Sequence, residues 1–133
     1  MSTQVNTYVI AGVCLPYDEF FDAVAEYLKE RYSCDSYTKD DAWDYVEKFR
    51  DSAFKDVQHH KGLCVVIDGA CGEYVVIGRV LTRSDNGGHL HHSPTDFGSE
   101  MTELEKELIL DAIETHFGIK EKKLKILVFS HYR

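Results

Sequence analysis

Residues 63–81 read LCVVIDGACGEYVVIGRVL: two apolar, β-branched runs on either side of a turn that holds Gly69 and Gly72. The first run is too short for a helix that buries itself, and both are rich in Val and Ile, which fit a pleated sheet better than a helical turn. The glycines supply the positive φ values that a tight reversal needs. The stretch therefore predicts a β-hairpin over 63–68 and 73–81, and the rest of the chain has to pack against it. Gly78 interrupts the return strand and marks a bulge or a close approach by a neighbouring backbone.

The flanking segments supply that packing. TYVIAGVCL, residues 7–15, reads as a mostly buried strand that stops at Pro16, a residue suited to a first helical turn. Phe20, Val24 and Leu28 then recur at four-residue steps, with Phe21 and Tyr27 widening the stripe. Asp18 and Glu19 sit where the helix dipole favours negative charge, so a helix is expected over 17–32. Thr38 is an N-cap candidate with Asp40 and Asp41 behind it. Ala42, Val46, Phe49 and Ala53 mark a second helix, flanked by Trp43 and Tyr45. A polar stretch fills 82–100. TELE at 102–105 then fits a capping box, and Leu104, Leu108, Ile109, Ala112 and Ile113 predict the apolar face of a third helix, with Gly118 as C-cap. KLKILVFSHY, 123–132, is a last strand. The order β-α-α-β-β-α-β contains, without its second helix, the β-α-β-β-α-β order of a ferredoxin-like sandwich. The expected fold is thus α+β: one domain over 1–133, an antiparallel sheet with helices on one face, and strands one and four as neighbours.

The 133 residues and 44% hydrophobic content permit a core without staples. A formal net charge of −8 disfavours phosphate backbones and anionic membranes, so nucleic acid is not an expected partner. No apolar run reaches the length of a membrane span, and the N-terminus lacks a basic-then-apolar leader. Cys14, Cys34, Cys64 and Cys71 form no C-x-x-C pair, which suits reduced thiols in a cytoplasmic protein. An exposed edge strand would also permit a homodimer.

Four candidate sites follow. His89, His91 and His92 crowd the loop NGGHLHHSP and are the first suspects for a metal; with the central hairpin turn they would serve an alternative function, small-ligand binding or metal dependence, although zinc needs three or four converging ligands and a solvated loop is the plainer reading. Cys71 sits in the hairpin turn with no local base or cation to hold a thiolate, so no catalytic residue is assigned. Asp68 opens the same turn, where bonding the turn backbone is its plain role. No glycine-rich loop leads into a helix, so no phosphate cradle or cofactor is implied. The fourth candidate is the segment 17–56, with twelve acidic and six basic side chains. It also concentrates tyrosines and the single tryptophan, residue types that suit both interface anchors and the rim of a small core. Tyr17, Tyr27, Tyr37, Asp40, Asp41, Trp43, Asp44 and Tyr45 are the expected protein-binding face. Mimicry of DNA phosphates is a weaker alternative, because Lys29, Arg31, Lys39, Lys48, Arg50 and Lys55 dilute the negative charge.

Three stretches carry a resemblance: VCLPYDEF at 13–20, DGACGEYVVIGRVL at 68–81 and the terminal FSHYR. Together they resemble a group of small uncharacterised proteins of tailed bacteriophages. That likeness brings no catalytic residues with it. It implies an accessory protein that binds a host protein and inhibits or redirects it, defence systems included, in the host cytoplasm. Asp68 and Arg133 are further candidates for one polar cluster, if Tyr17 and the chain's end meet at one edge of the sheet.

Overall fold

A computed structural model describes residues 5–34, 36–50, 62–68, 72–84, 101–121 and 123–132. The strands are β1 (Val5–Pro16), β2 (Cys64–Ile67), β3 (Tyr74–Ser84) and β4 (Lys125–Tyr132). The helices are α1 (Tyr17–Tyr32), α2 (Lys39–Val46) and α3 (Glu103–Phe117), with a 3-10 turn at Glu47–Phe49. The fold is α+β. One four-stranded antiparallel sheet runs in the order β2-β3-β1-β4.

The hairpin forms as the glycine-bounded turn predicts, with Cys64 opposite Gly78 and Ile67 opposite Val75. α1 begins and ends where its apolar spacing places it and buries Phe20, Phe21, Val24, Ala25 and Leu28. Pro16 lies one residue earlier than expected: it closes β1 and stands as the N-cap of α1, with φ −56° and ψ 142°. The described part of the second helical segment is shorter than its stripe suggested. α2 ends at Val46, and the 3-10 turn carries Phe49 into the core.

Ala11, Val13, Val65, Ile67, Val75 and Ile77 share one cluster with the inner faces of all three helices. Its centre is aromatic: Phe49 and Phe117 rings lie 4.6 Å apart, and Phe20 and Phe21 lie 4.9 Å apart. α3 contributes Ile109, Ile113 and Phe117. Leu104 and Leu108, expected on its apolar face, instead remain 64% and 56% exposed. The reason is angular. The three buried residues recur at four-residue steps and set the inward direction, and at 100° per residue Leu104 and Leu108 fall on the far flank.

Tyr8, Ile10, Cys64, Val66 and Val76 form a second cluster on the opposite face of the sheet. That face is sharply concave. Tyr8 stacks on Phe129 at 5.4 Å, and Phe129 also meets Tyr74 edge-on at 6.2 Å. Yet Tyr8 and Pro16, the β1 partner of Tyr74, are eight positions apart on the strand, about 26 Å along a straight ladder at ~3.3 Å per residue. The crease lies where Gly12 and Gly78 face each other. A Cβ on Gly12 would stand 1.9 Å from the Ile77 carbonyl oxygen, and one on Gly78 would stand 2.2 Å from that of Ala11. Only hydrogen fits inside this fold of the sheet. A β-bulge between Val9 and Ile10 adds a register shift further along the ladder.

Candidate interaction face

The outer surface of α1 and α2 gathers the charge. Asp18, Glu19, Asp22 and Glu26 are exposed on α1, and Asp40 and Asp44, one turn apart, are exposed on α2. Lys39 joins the two helices: its Nζ lies 3.6 Å from Asp18 and 3.5 Å from Asp22. Asp22 first, then Asp18, holds the ammonium above the usual lysine range. All three groups are solvent-exposed, so the bridge orients the helices more than it stabilises them.

Asp41 has a different task. Its Oδ2 accepts the Thr38 backbone N–H at 2.8 Å and the Thr38 hydroxyl at 3.1 Å, holding the start of α2. The spacing Thr-x-x-Asp at 38–41 was the signal for this role, and only Asp40 and Asp44 of the three nominated aspartates face outward unengaged in that cap.

The aromatics lie half in the core. Trp43 stacks on Phe21 with ring centroids 4.8 Å apart and planes 17° from parallel; Tyr17 leans on the same Phe21 at 4.8 Å. The Arg50 guanidinium covers Trp43 at 5.8 Å. Tyr27 and Tyr45 donate their hydroxyls to the Thr115 and His116 carbonyl oxygens, each at 2.6 Å. Those carbonyls belong to the last turn of α3, where backbone acceptors lack helical partners. Burial, then the neighbouring Tyr27, pushes the Tyr45 phenol well above its ordinary range. Tyr37 is half-buried and meets Tyr32 at 5.9 Å, leaving Tyr32 outermost with the Arg31 guanidinium 6.0 Å from its ring. The aromatic residues thus build a seam between α1, α2 and α3, and the surface above it is acidic.

The hairpin turn is organised by Asp68. Its backbone N–H donates to the Tyr74 carbonyl at 3.0 Å, its carbonyl accepts from Gly72 N–H at 3.2 Å, and its carboxylate accepts from Glu73 N–H at 3.0 Å. Glu73 in turn accepts from the Tyr17 backbone N–H at 3.0 Å, so the turn abuts the start of α1. β4 ends beside Val5, at the other end of β1 from Tyr17. Arg133 lies outside the described residues, as do Cys71 and His89, His91 and His92. On the concave face Cys14 is exposed near Lys125. Burial of the sulfur pushes its thiol up and Lys125 only partly offsets that, so the site does not favour a thiolate nucleophile. Burial, Asp68 and Cys14 likewise raise the Tyr74 phenol.

Among the described residues no group of three His, Cys, Asp or Glu side chains converges as a metal site, and no helix is long and apolar enough to cross a membrane. No protein-family model, curated protein or solved structure matches the chain.

Proposed function

We propose that this protein acts by binding another protein through the outer face of α1 and α2, without chemistry of its own. The observation that carries this reading is the acidic surface laid over an aromatic seam. Asp18, Asp22, Asp40 and Asp44 project into solvent from two helices that Lys39, Trp43 and Tyr17 hold in a fixed relation. Fixed carboxylates on a rigid base steer a basic partner and set its register, while exposed loops would spend entropy on the same contacts. The resemblance to small phage proteins makes a host protein the expected partner, inhibited or redirected by occupation of its basic surface. The strand order and the element order also support a ferredoxin-like reading of the fold, with α2 as the addition that widens the acidic face.

The test is capture from bacterial lysate by the wild-type chain and by a D18K/D22K/D40K/D44K variant, with retained folding checked by circular dichroism. A prey that the wild type holds and the variant releases supports the reading. Retention of the same prey by both, unaffected by salt, contradicts it. A prey that is nucleic acid alone, held by either form, contradicts it as well.

A further inference from the structure

We propose that the loop between α3 and β4, together with the end of α1, is a basic pole that binds an acidic segment of another protein. This does not rest on the basic partner proposed for the outer face of α1 and α2, and it uses a different surface. Residues 120–125 read KEKKLK, four lysines and one glutamate in a chain of net charge −8. Lys120, Lys123 and Lys125 are exposed.

The plain explanation for lysines just past a helix end is that they cap its carbonyls and oppose its dipole. Here the carbonyls are already taken. Glu114 accepts from the Gly118 N–H at 2.9 Å, and Thr115 and His116 accept the Tyr27 and Tyr45 hydroxyls at 2.6 Å each. The lysines are not matched by carboxylates either. Lys29, Lys39, Arg50 and Lys106 each pair with an acidic side chain. Among the described residues, Lys120, Lys123 and Arg31 enter no ion pair. The chain has 23 Asp and Glu, so this group does not stand alone for want of partners.

The tertiary structure brings Arg31 to the loop, with Tyr27 as the meeting point. A Cβ on Gly118 would stand 2.9 Å from the Tyr27 Cβ. Two residues span at most about 7.6 Å between α-carbons, so Lys120 starts beside α1. The Arg31 guanidinium lies 6.0 Å from the Tyr27 ring and 6.0 Å from the Tyr32 ring. Tyr32 is 54% exposed. An arginine fork backed by a tyrosine face, with ammonium groups nearby, is suited to anchor carboxylates at a protein interface. Charge spacing selects the class of partner. Glu30 and Glu121 are exposed in the same two stretches. A nucleic-acid strand, charged at every step, would run against them, whereas an acidic peptide can set its carboxylates only where the cations are. The net charge does not prevent contact, because physiological salt confines fields to ~8 Å and local groups then decide.

The probe is a short fluorescein-labelled peptide of aspartate and glutamate with one central leucine, titrated with the full chain and read by fluorescence anisotropy. The Lys120→Gln/Lys123→Gln double variant, and Arg31→Gln alone, are each expected to weaken binding about tenfold or more. Lys106→Gln removes a charge of the same kind at the opposite end of α3 and is expected to leave binding unchanged. Tyr32→Ala alters no charge and is expected to weaken binding about fivefold or more, which sets a built site apart from general attraction. All of these positions are at the surface, and circular dichroism checks that each variant folds. A wild-type chain that does not bind the peptide, equal losses in K106Q and K120Q/K123Q, an unaffected Y32A, or tighter binding of a single-stranded oligonucleotide of equal charge would each overturn the proposal.

Discussion

Gly12 and Gly78 carry more of the architecture than any other pair of residues. Their missing side chains let β1 and β3 fold sharply enough to bring Tyr74 against Phe129. Gly12→Ala or Gly78→Ala drives a methyl into backbone, which cannot rotate away, and is expected to cost about 3 kcal/mol or more. Gly72 is the contrast. Its φ is +64° with open space around it, so Gly72→Ala pays only for the left-handed backbone, about 1–2 kcal/mol. Urea denaturation of the three variants separates the two mechanisms by the order of their midpoints. Tyr45 supplies a second residue-scale prediction. Tyr45→Phe removes the bond to the His116 carbonyl and is expected to cost about 1 kcal/mol. The pH dependence has a definite sign. The folded state holds the phenol protonated beyond its usual range, so its contribution is complete below about pH 10 and is lost as pH rises further. Thermal melts of Tyr45→Phe should therefore fall off less steeply than wild type in strong alkali, once the parallel contribution of Tyr74 is removed in a common Tyr74→Phe background.

Among the elements, the helix ends show how much local chemistry decides. Thr102 accepts the Glu105 N–H at 3.1 Å and opens α3, and Gly118 closes it at φ +69°, both at the positions their residue types mark. α1 stops at Ser33 in the left-handed region. α2 depends far more on what surrounds it. It spans only eight residues, which is marginal for a helix standing alone. Its anchor is Phe49, in the 3-10 turn, buried against Phe117 and Tyr45. Phe49→Ala is expected to cost about 3–5 kcal/mol. Hydrogen exchange should then show protection lost first over residues 39–49, and α1 retained until global unfolding.

For the whole molecule, charge and shape are arranged on different sides. Carboxylates cover the helices, while β4 at the sheet's edge carries none. An electrostatically steered partner would associate with a rate that falls with salt, roughly tenfold or more from low to high ionic strength. Stopped-flow association across a salt series checks this expectation.

The residues by themselves determined the elements: the hairpin from its glycine-bounded apolar runs, α1 from the four-residue steps of Phe20, Val24 and Leu28, and α3 from its cap and its closing glycine. Those signals are local, set by backbone preference and by the period of apolar side chains. Other features rest on contacts between segments far apart in the chain, and no local period encodes them. Gly78 was legible as a close approach, but its partner Gly12 was not, because nothing in either segment states the register that sets them opposite. Leu104 and Leu108 fit an apolar stripe on paper; only the direction of Ile109, Ile113 and Phe117 against the sheet turned them outward. The tyrosines of α1 and α2 suit an interface or the rim of a core equally well by type. Only the fold shows that Tyr27 and Tyr45 donate their hydroxyls to carbonyl oxygens at the nearby end of α3.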